Sequence, residues 1–398
     1  MVSRLLFLAL PAMLAEELQE AMKVDDACDA SRPGSCELSL MQRRTSGSCA
    51  SYGCKNTYRR GQTCQCNAKC EAHGNCCTDY RFKCTASKPL ARAPGRPKEA
   101  PRRLIFVNKC AKEPLWIAHM AAGKVGPDPQ DVKIEPGQSH AFSTPSQLSA
   151  TRYWPKMGCD ESGHNCSIGS SGGPGEACKR NPITGEDDYS RCAPPVDTKF
   201  EASFGENGEP CNPKAPGGTE MKGCDFVDMS LVDGWTLPFI FEAKGDCKTN
   251  KDEIVESINC SGLTLDACPD LEALTDMSAD LRAINPITKQ VSGCYSPCSK
   301  LLDTKWSNKE LAHGRKAEQD DVNPYCCPTP PQTPESCRAG PITKTKFLKT
   351  VHEKCPGVYG YAYDDGMGLM RCASATIYTV SFYCPSELPV KPMVRIPV

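Results

Sequence analysis

Beyond its first residues the chain lacks any apolar run long enough to cross a bilayer. The early run, Leu5 to Ala15 after Arg4, is too short to span and is suited to a secretory signal. A basic surplus is also lacking. The 47 Lys and Arg face 48 Asp and Glu, a formal net charge of −1, which excludes a protein built chiefly to grip nucleic acid. Histidine is scarce: the six, His73, His119, His140, His164, His313 and His352, show no paired metal-ligand spacing, so neither metal nor cofactor is expected. Gly172-Gly-Pro-Gly175 lacks the lysine and the strand–helix setting of a phosphate loop, and reads as a turn.

What the chain has in excess is cysteine, 28 in 398 residues, together with 34 prolines. Disulfides in an oxidising compartment account for that number, so a secreted, extracellular protein is expected. The sequons at Asn165 and Asn259, each with cysteine in the middle position, fit the same compartment. The length allows two or more domains.

Residues 1–15 read as the signal peptide and 16–47 as a flexible pro-segment with few apolar residues. Within it Cys28 and Cys36 most simply close a small loop, and Arg43-Arg44 is either a processing site or a solvated charge pair. From Cys49 to Cys84 there are eight cysteines in 36 residues: Cys49, Cys54, Cys64, Cys66, Cys70, Cys76, Cys77 and Cys84. So short a segment cannot bury a sufficient core, so residues 48–84 form a mini-domain stapled by four bridges, whose pairing spacing alone does not choose. Residues 85–103 hold four prolines and six Lys or Arg against Glu99, a net +5, and read as an extended linker. From 104 to 386 short apolar runs such as Leu104–Val107, Phe239–Phe241 and Ile377–Tyr383 recur between turn residues, the mark of an all-β sandwich or barrel. Leu271, Leu274, Met277 and Leu281 recur near helical spacing, and Asp303 to Asp321 is a charged surface insertion. A helical, disulfide-laced lobe over about 247–355 is therefore expected between β segments, and 387–398 is a tail.

The segment Asp225–Pro238 is otherwise apolar, yet carries Asp228 and Asp233 five residues apart. On a regular strand that offset puts them on opposite faces. They converge only if the chain bends, and Gly234 and Pro238 are the breakers available.

The run Cys64-Gln-Cys66 to Cys76-Cys77-Thr-Asp-Tyr80 and Cys84 resembles a somatomedin B domain over the whole module. That resemblance implies the bridges Cys49–Cys66, Cys54–Cys84, Cys64–Cys77 and Cys70–Cys76. Where the best-known member carries acidic, leucine and tyrosine residues to bind a serpin, this chain has Asn67, Lys69, Ala72 and His73, so that partner is not expected. The module is either a spacing knob or a docking site for an extracellular protein.

A second set of blocks resembles the thaumatin-like family, in its order and over nearly all of 104–385. These are Ile105–Cys110, Leu115-Trp116, Pro136–Ser139, Arg152-Tyr-Trp154, Asp225–Pro238, Tyr325-Cys-Cys327, Phe347–Pro356, Tyr361-Ala-Tyr-Asp-Asp365 and Phe382–Pro385. The implied fold is mainly β, a sandwich with an inserted disulfide-rich helical lobe. The implied bridges are Cys110–Cys384, Cys159–Cys166, Cys247–Cys372, Cys260–Cys355, Cys268–Cys294, Cys298–Cys326 and Cys327–Cys337. A family cysteine is missing at Gly169-Ser-Ser171, which leaves Cys178 for the extra Cys192, and Cys211 and Cys224 form another extra pair.

The family's acidic cleft, one arginine and four carboxylates, carries over to Arg152, Glu201, Asp228, Asp233 and Asp364; Glu201 aligns only after a one-residue shift. Carboxylates accept hydrogen bonds from sugar hydroxyls, and Trp235, Tyr361 and Tyr363 are candidate stacking rings. Hydrolysis needs one protonated and one ionised carboxyl, for which Glu201 and Asp228 are the candidate pair. The implied function is a secreted, defence-like protein that binds cell-wall β-1,3-glucan, either as a lectin or as a weak endo-β-1,3-glucanase. The alternative is a non-catalytic extracellular interaction or enzyme-inhibitor protein.

Overall fold

A computed structural model describes residues 100–176, 178, 192–212, 222–275 and 277–385, with most of the cysteine framework between 49 and 84. The signal and pro-segments, most of the linker, Ala72 and the tail lie outside the described residues. Two compact units are present, one within 26–99 and one from Ala100 onward.

In the first unit the bridges are Cys49–Cys66, Cys54–Cys84, Cys64–Cys77 and Cys70–Cys76, the pairs the resemblance implies. Its small core consists of Cys49, Cys64, Cys66, Cys70, Cys77 and Tyr80. The buried Gln65 side chain donates to Arg59 O and accepts from Arg59 N, both at 2.9 Å, so one amide side chain clamps the Tyr58–Arg60 loop.

The second unit is built on strands β1 (Leu104–Asn108), β2 (Leu115–Ala121), β3 (Val132–Ile134), β4 (Ser139–Phe142), β5 (Thr151–Lys156), β6 (Lys199–Ser203) and β7 (Cys224–Ser230). There follow β8 (Gly234–Trp235), β9 (Phe239–Lys244), β10 (Cys247–Thr249), β11 (Ser257–Asn259), β12 (Glu272–Leu274), β13 (Met277–Ala279), β14 (Arg282–Ile284), β15 (Val291–Tyr295), β16 (Met370–Ala373) and β17 (Ile377–Phe382). A five-stranded sheet in the order β11-β9-β17-β1-β4 packs on a seven-stranded sheet in the order β10-β16-β7-β6-β5-β2-β3. Alternation selects the inner faces: in β6, Phe200 and Ala202 are buried while Lys199, Glu201 and Ser203 are partly exposed. Phe200 meets Tyr153 of its own sheet and Phe106, Phe241 and Tyr378 of the other, at centroid distances of 6.0–6.3 Å. Such ring pairs interlock the two layers.

The parallel pair β1 and β17 ends with Asn108 opposite Phe382. Two residues further on each strand stand Cys110 and Cys384, which form a bridge that closes a 274-residue loop. The other eight bridges of this unit also join the expected partners, including Cys178–Cys192 and Cys211–Cys224.

Two expectations are corrected. Leu271 to Leu281 is not helical: β12 and β13 pair with Leu274 opposite Met277, Leu274 and Leu281 are buried, and Leu271 is 56% exposed. The spacing was close to helical, but pairing with a neighbouring strand overrides it. Apart from a 3-10 turn at Leu265–Ala267, the helices described in this lobe begin later, at Pro297–Leu302, and the longest of them is Lys346–Lys354. That helix buries Phe347, Leu348 and Val351, and the Glu272 carboxylate of β12 accepts from the Lys346 and Phe347 amides at 3.1 and 2.8 Å, satisfying two of its unpaired donors. Arg103, counted with the linker, is instead buried. It bonds Asp225 through both terminal guanidinium nitrogens and donates to Thr376 O at 2.9 Å, while Tyr378 Oη donates to Asp225 at 2.7 Å. A buried carboxylate on the inner face of β7 requires such a partner.

Candidate functional site

The outer face of the seven-stranded sheet carries one polar rung across three adjacent strands. Arg152 of β5 stands opposite Glu201 of β6, and Glu201 stands opposite Asp228 of β7. Residues so paired have Cβ atoms about 5 Å apart. Arg152 Nε donates to Glu201 Oε1 at 2.6 Å. Asp228 is 3% exposed. Burial first, then the negative charge of Glu201 beside it, push its carboxyl well above the usual range; Arg152 opposes this and Asp365 adds to it. The rung therefore offers a carboxyl biased towards its protonated form next to an arginine-paired carboxylate.

Lys199, two residues before Glu201 on the same face, forms an ion pair with Asp233. Burial works against its ammonium, but Asp233, Glu201 and Asp197 together hold it above its ordinary value. Lys199 thus links the rung to Asp233, which lies in a turn rather than on β7. The turn is closed by Gly234 N donating to Leu231 O at 3.0 Å, and Ser296 N donates to Asp233 O at 3.1 Å. Gly234 has φ 130° and its hypothetical Cβ would stand 1.9 Å from Cys294 O, so no side chain fits there. The expected bend is therefore present, and it carries the chain from the large sheet into the small sheet β14-β15-β8.

Arg152, Glu201, Asp228 and Asp233 are brought into one charged array, but Asp364 is not its fifth member. Its carboxylate, 6% exposed, bonds His352 Nε2 at 2.8 Å and the Gly360 amide at 3.0 Å. The next residue, Asp365, is the one whose charge bears on Asp228. Asp365 accepts from Tyr359 Oη at 2.8 Å and from Arg338 Nη2 at 2.9 Å. Tyr359 is itself strapped to β7 by its amide to Met229 O at 3.0 Å and its carbonyl from Leu231 N at 2.8 Å. Burial, then Asp228 and Asp365, raise its phenol well above the ordinary value. The sequence signal for Asp365 was the second aspartate of the same block; which of the two reaches Asp228 depends on the helix that begins there, Asp365–Gly368.

The three stacking rings are also corrected. Trp235 is fully buried, packed on Phe347 at 5.2 Å with its indole N–H donating to Thr264 O at 3.2 Å. Tyr361 and Tyr363 are 8% and 2% exposed, and the Tyr363 hydroxyl bonds Thr329. Partly exposed rings near the rung are Tyr359 and Phe226, the latter two residues from Asp228 on the same face of β7. The sulfurs of Cys49, Cys66 and Cys77 lie close together but are held in disulfides, so they offer no thiolate to a metal.

Residues 217–385 match the family model of the Thaumatin family, and residues 47–87 match that of the Somatomedin B domain. The chain thus carries a Thaumatin-family domain and a Somatomedin B domain. Thaumatin-like protein 1 of Pyrus pyrifolia is 26% identical over 291 residues, covering 71% of this chain and 91% of that protein. A thaumatin-like protein of Arabidopsis thaliana is 28% identical over 287 residues, covering 71% and 89%. A Prunus avium protein named glucan endo-1,3-beta-glucosidase is 30% identical over 173 residues, covering 41% and 50%.

Proposed function

We propose that this is a secreted, defence-type protein that binds β-1,3-glucan at the Arg152–Glu201–Asp228 rung and hydrolyses it slowly. The observation that carries the reading is the juxtaposition of Asp228, biased towards its protonated form, with the Arg152-paired carboxylate of Glu201. An acid and a carboxylate on directly opposed strand positions suit the close pair of a retaining glycosidase better than the wider pair of an inverting one. In that reading Asp228 protonates the leaving glycosidic oxygen, and Glu201, oriented by Arg152, stabilises or attacks the developing oxocarbenium carbon. Tyr359 and Phe226 take the stacking role that the buried Trp235 cannot. The glucanase name of the Prunus avium relative supports the substrate class. Thirteen disulfides among the described residues and the early apolar run support secretion.

The test is a laminarin pull-down of wild type and Asp228→Asn, with reducing-sugar release from wild type and Glu201→Gln. Binding should weaken in the first variant and release should fall at least about a hundredfold in the second. Equal retention of Asp228→Asn removes the rung from the account, and no release by wild type reduces the protein to a lectin. The somatomedin B module adds an extracellular protein-docking role in this reading, supported by Tyr58 at 67% exposure beside exposed Arg59 and Arg60 on the clamped loop. Affinity capture from secretions with wild type and Arg59→Glu tests it: equal capture excludes the loop.

A further inference from the structure

The two sequons stand in different surroundings. Asn259 is the last residue of β11, an edge strand of the five-stranded sheet. Strand alternation sends Ile258 into the core and leaves Ser257 and Asn259 exposed on the outer face. Ser261 N donates to Asn259 Oδ1 at 3.0 Å, which turns the amide oxygen back onto the chain. Neither Asn259 Nδ2 nor Ser261 Oγ has a hydrogen-bond partner among the described residues. Half-buried Ile240 of β9 stands directly opposite Asn259, and residues so paired have Cβ atoms about 5 Å apart.

Asn165 is also exposed, but its amide is in use: Nδ2 donates to Asp160 Oδ2 at 2.7 Å. Asp160 also accepts from the Ser162 and His164 amides, both at 3.0 Å, and from Ser162 Oγ at 2.6 Å, so a sugar on Asn165 would crowd the loop that these bonds close. The hydroxyl of that sequon, Ser167 Oγ, is turned onto Met157 O at 3.1 Å. Order of synthesis separates the two sites further. Cys166 pairs with Cys159, 7 residues earlier, and needs nothing downstream to close its loop. Cys260 pairs with Cys355, 95 residues later. At about 5–20 residues per second that partner takes roughly 5–20 s to follow, and until then the chain around Asn259 is not held by its bridge.

We infer that Asn259 carries an N-linked oligosaccharide and that Asn165 carries none. This rests on the secretion reading and extends it. In the transfer, Asn259 Nδ2 attacks the anomeric carbon of an oligosaccharide carried on a polyprenyl diphosphate. The N–C bond forms as the C–O bond to the diphosphate breaks, the amide gives up one proton, and the polyprenyl diphosphate leaves with the bonding electrons; nothing is oxidised or reduced. The attached sugar lies against Ile240 and covers the open edge of β11, where unpaired backbone groups invite another chain. Asn259 faces outward from the sheet opposite the one that bears the Arg152–Glu201–Asp228 rung, so the glycan leaves the rung clear.

The test expresses the full-length chain in a eukaryotic secretory host and maps the peptides of the secreted protein after peptide-N-glycosidase digestion in heavy-oxygen water, which leaves labelled aspartate wherever a glycan was attached. The label should appear at position 259 and not at position 165. Asn259→Gln and Ser261→Ala should each abolish the glycosidase-sensitive mass, while Ser261→Thr and Asn165→Gln should keep it, since the sequon needs only a hydroxyl at its third position. Secreted wild type with no label at 259, or with label at 165, overturns the inference whether or not the variants fold, and leaves the secretion reading standing. Wild type that stays in the cytosol with its first residues uncleaved overturns the secretion reading and the inference together.

Discussion

Acidification should stabilise this protein over a range where most proteins are indifferent, because buried carboxyls take up protons only in the fold. One contributor is Glu176, 2% exposed, which accepts from Lys156 Nζ at 2.7 Å and from the Gly172 amide at 3.1 Å. The same lysine, itself 1% exposed, donates to Asp131 at 2.6 Å, so one ammonium serves two buried carboxylates, with His164 Nε2 3.3 Å from the second. Burial, only partly offset by Lys156 and reinforced by Asp131, pushes Glu176 up to about 7 from an ordinary 4.5. Asp197 is pushed up by burial to about 6 from 3.8. A raised value means that the fold holds a proton the unfolded chain has lost. That stabilisation is full below the unfolded value and disappears as pH rises through the folded one. Between about pH 7.5 and about pH 5, Glu176 should add about 2.5 kcal/mol and Asp197 about 1.4 kcal/mol. His119 and His140 work the other way, since burial lowers both below 6.5 and the unfolded chain protonates first. The contribution of Glu176 is therefore isolated by difference. Calorimetric melting of wild type and Glu176→Gln across this range should show the wild type gaining about 5–10 °C more than the variant on acidification. Parallel Tm curves for the two proteins would refute the reasoning.

Gly234→Ala should lose about 3 kcal/mol in a urea titration, because its Cβ meets Cys294 O; Gly137→Ala, where φ is 73° and nothing lies within 4 Å, should lose only about 1–2 kcal/mol. Equal losses would mean that backbone strain, not the close approach, is what Gly234 relieves. Arg103→Met leaves Asp225 buried without its cation and should cost about 3–5 kcal/mol, most of which the double variant with Asp225→Asn recovers. A null effect of Arg103→Met would return that residue to the linker.

Much of the fold was legible because it is written locally or covalently. Alternation in Lys199–Ser203 tells the core face from the outer face, and the cysteine pairs follow from the blocks that surround them. The Gly234 bend was legible for a similar reason: only glycine accepts that φ beside a carbonyl. The helical reading of Leu271–Leu281 failed because near-helical spacing over so few residues is also compatible with a tight hairpin, and the pairing of β12 with β13 decides between them.

The candidate site divides along the same line. Its residue types and most of its positions can be read from the chain, since Arg152, Glu201, Asp228 and Asp233 lie in or beside recognisable blocks. Which carboxylate completes the array could not be read, because Asp364 and Asp365 are neighbours with identical side chains and only the start of a helix turns one to His352 and the other towards Asp228. Nor could the fate of Trp235 or Arg103, since a ring or a guanidinium counts as surface or core only once its neighbours are in place. The letters of the chain settle which groups are available and where the backbone can bend, while the cysteine pairing came from the resemblance to known families. Tertiary packing alone settles which of those groups meet and which are buried, because strand register and burial are properties of contacts between segments as far apart as Arg103 and Asp225.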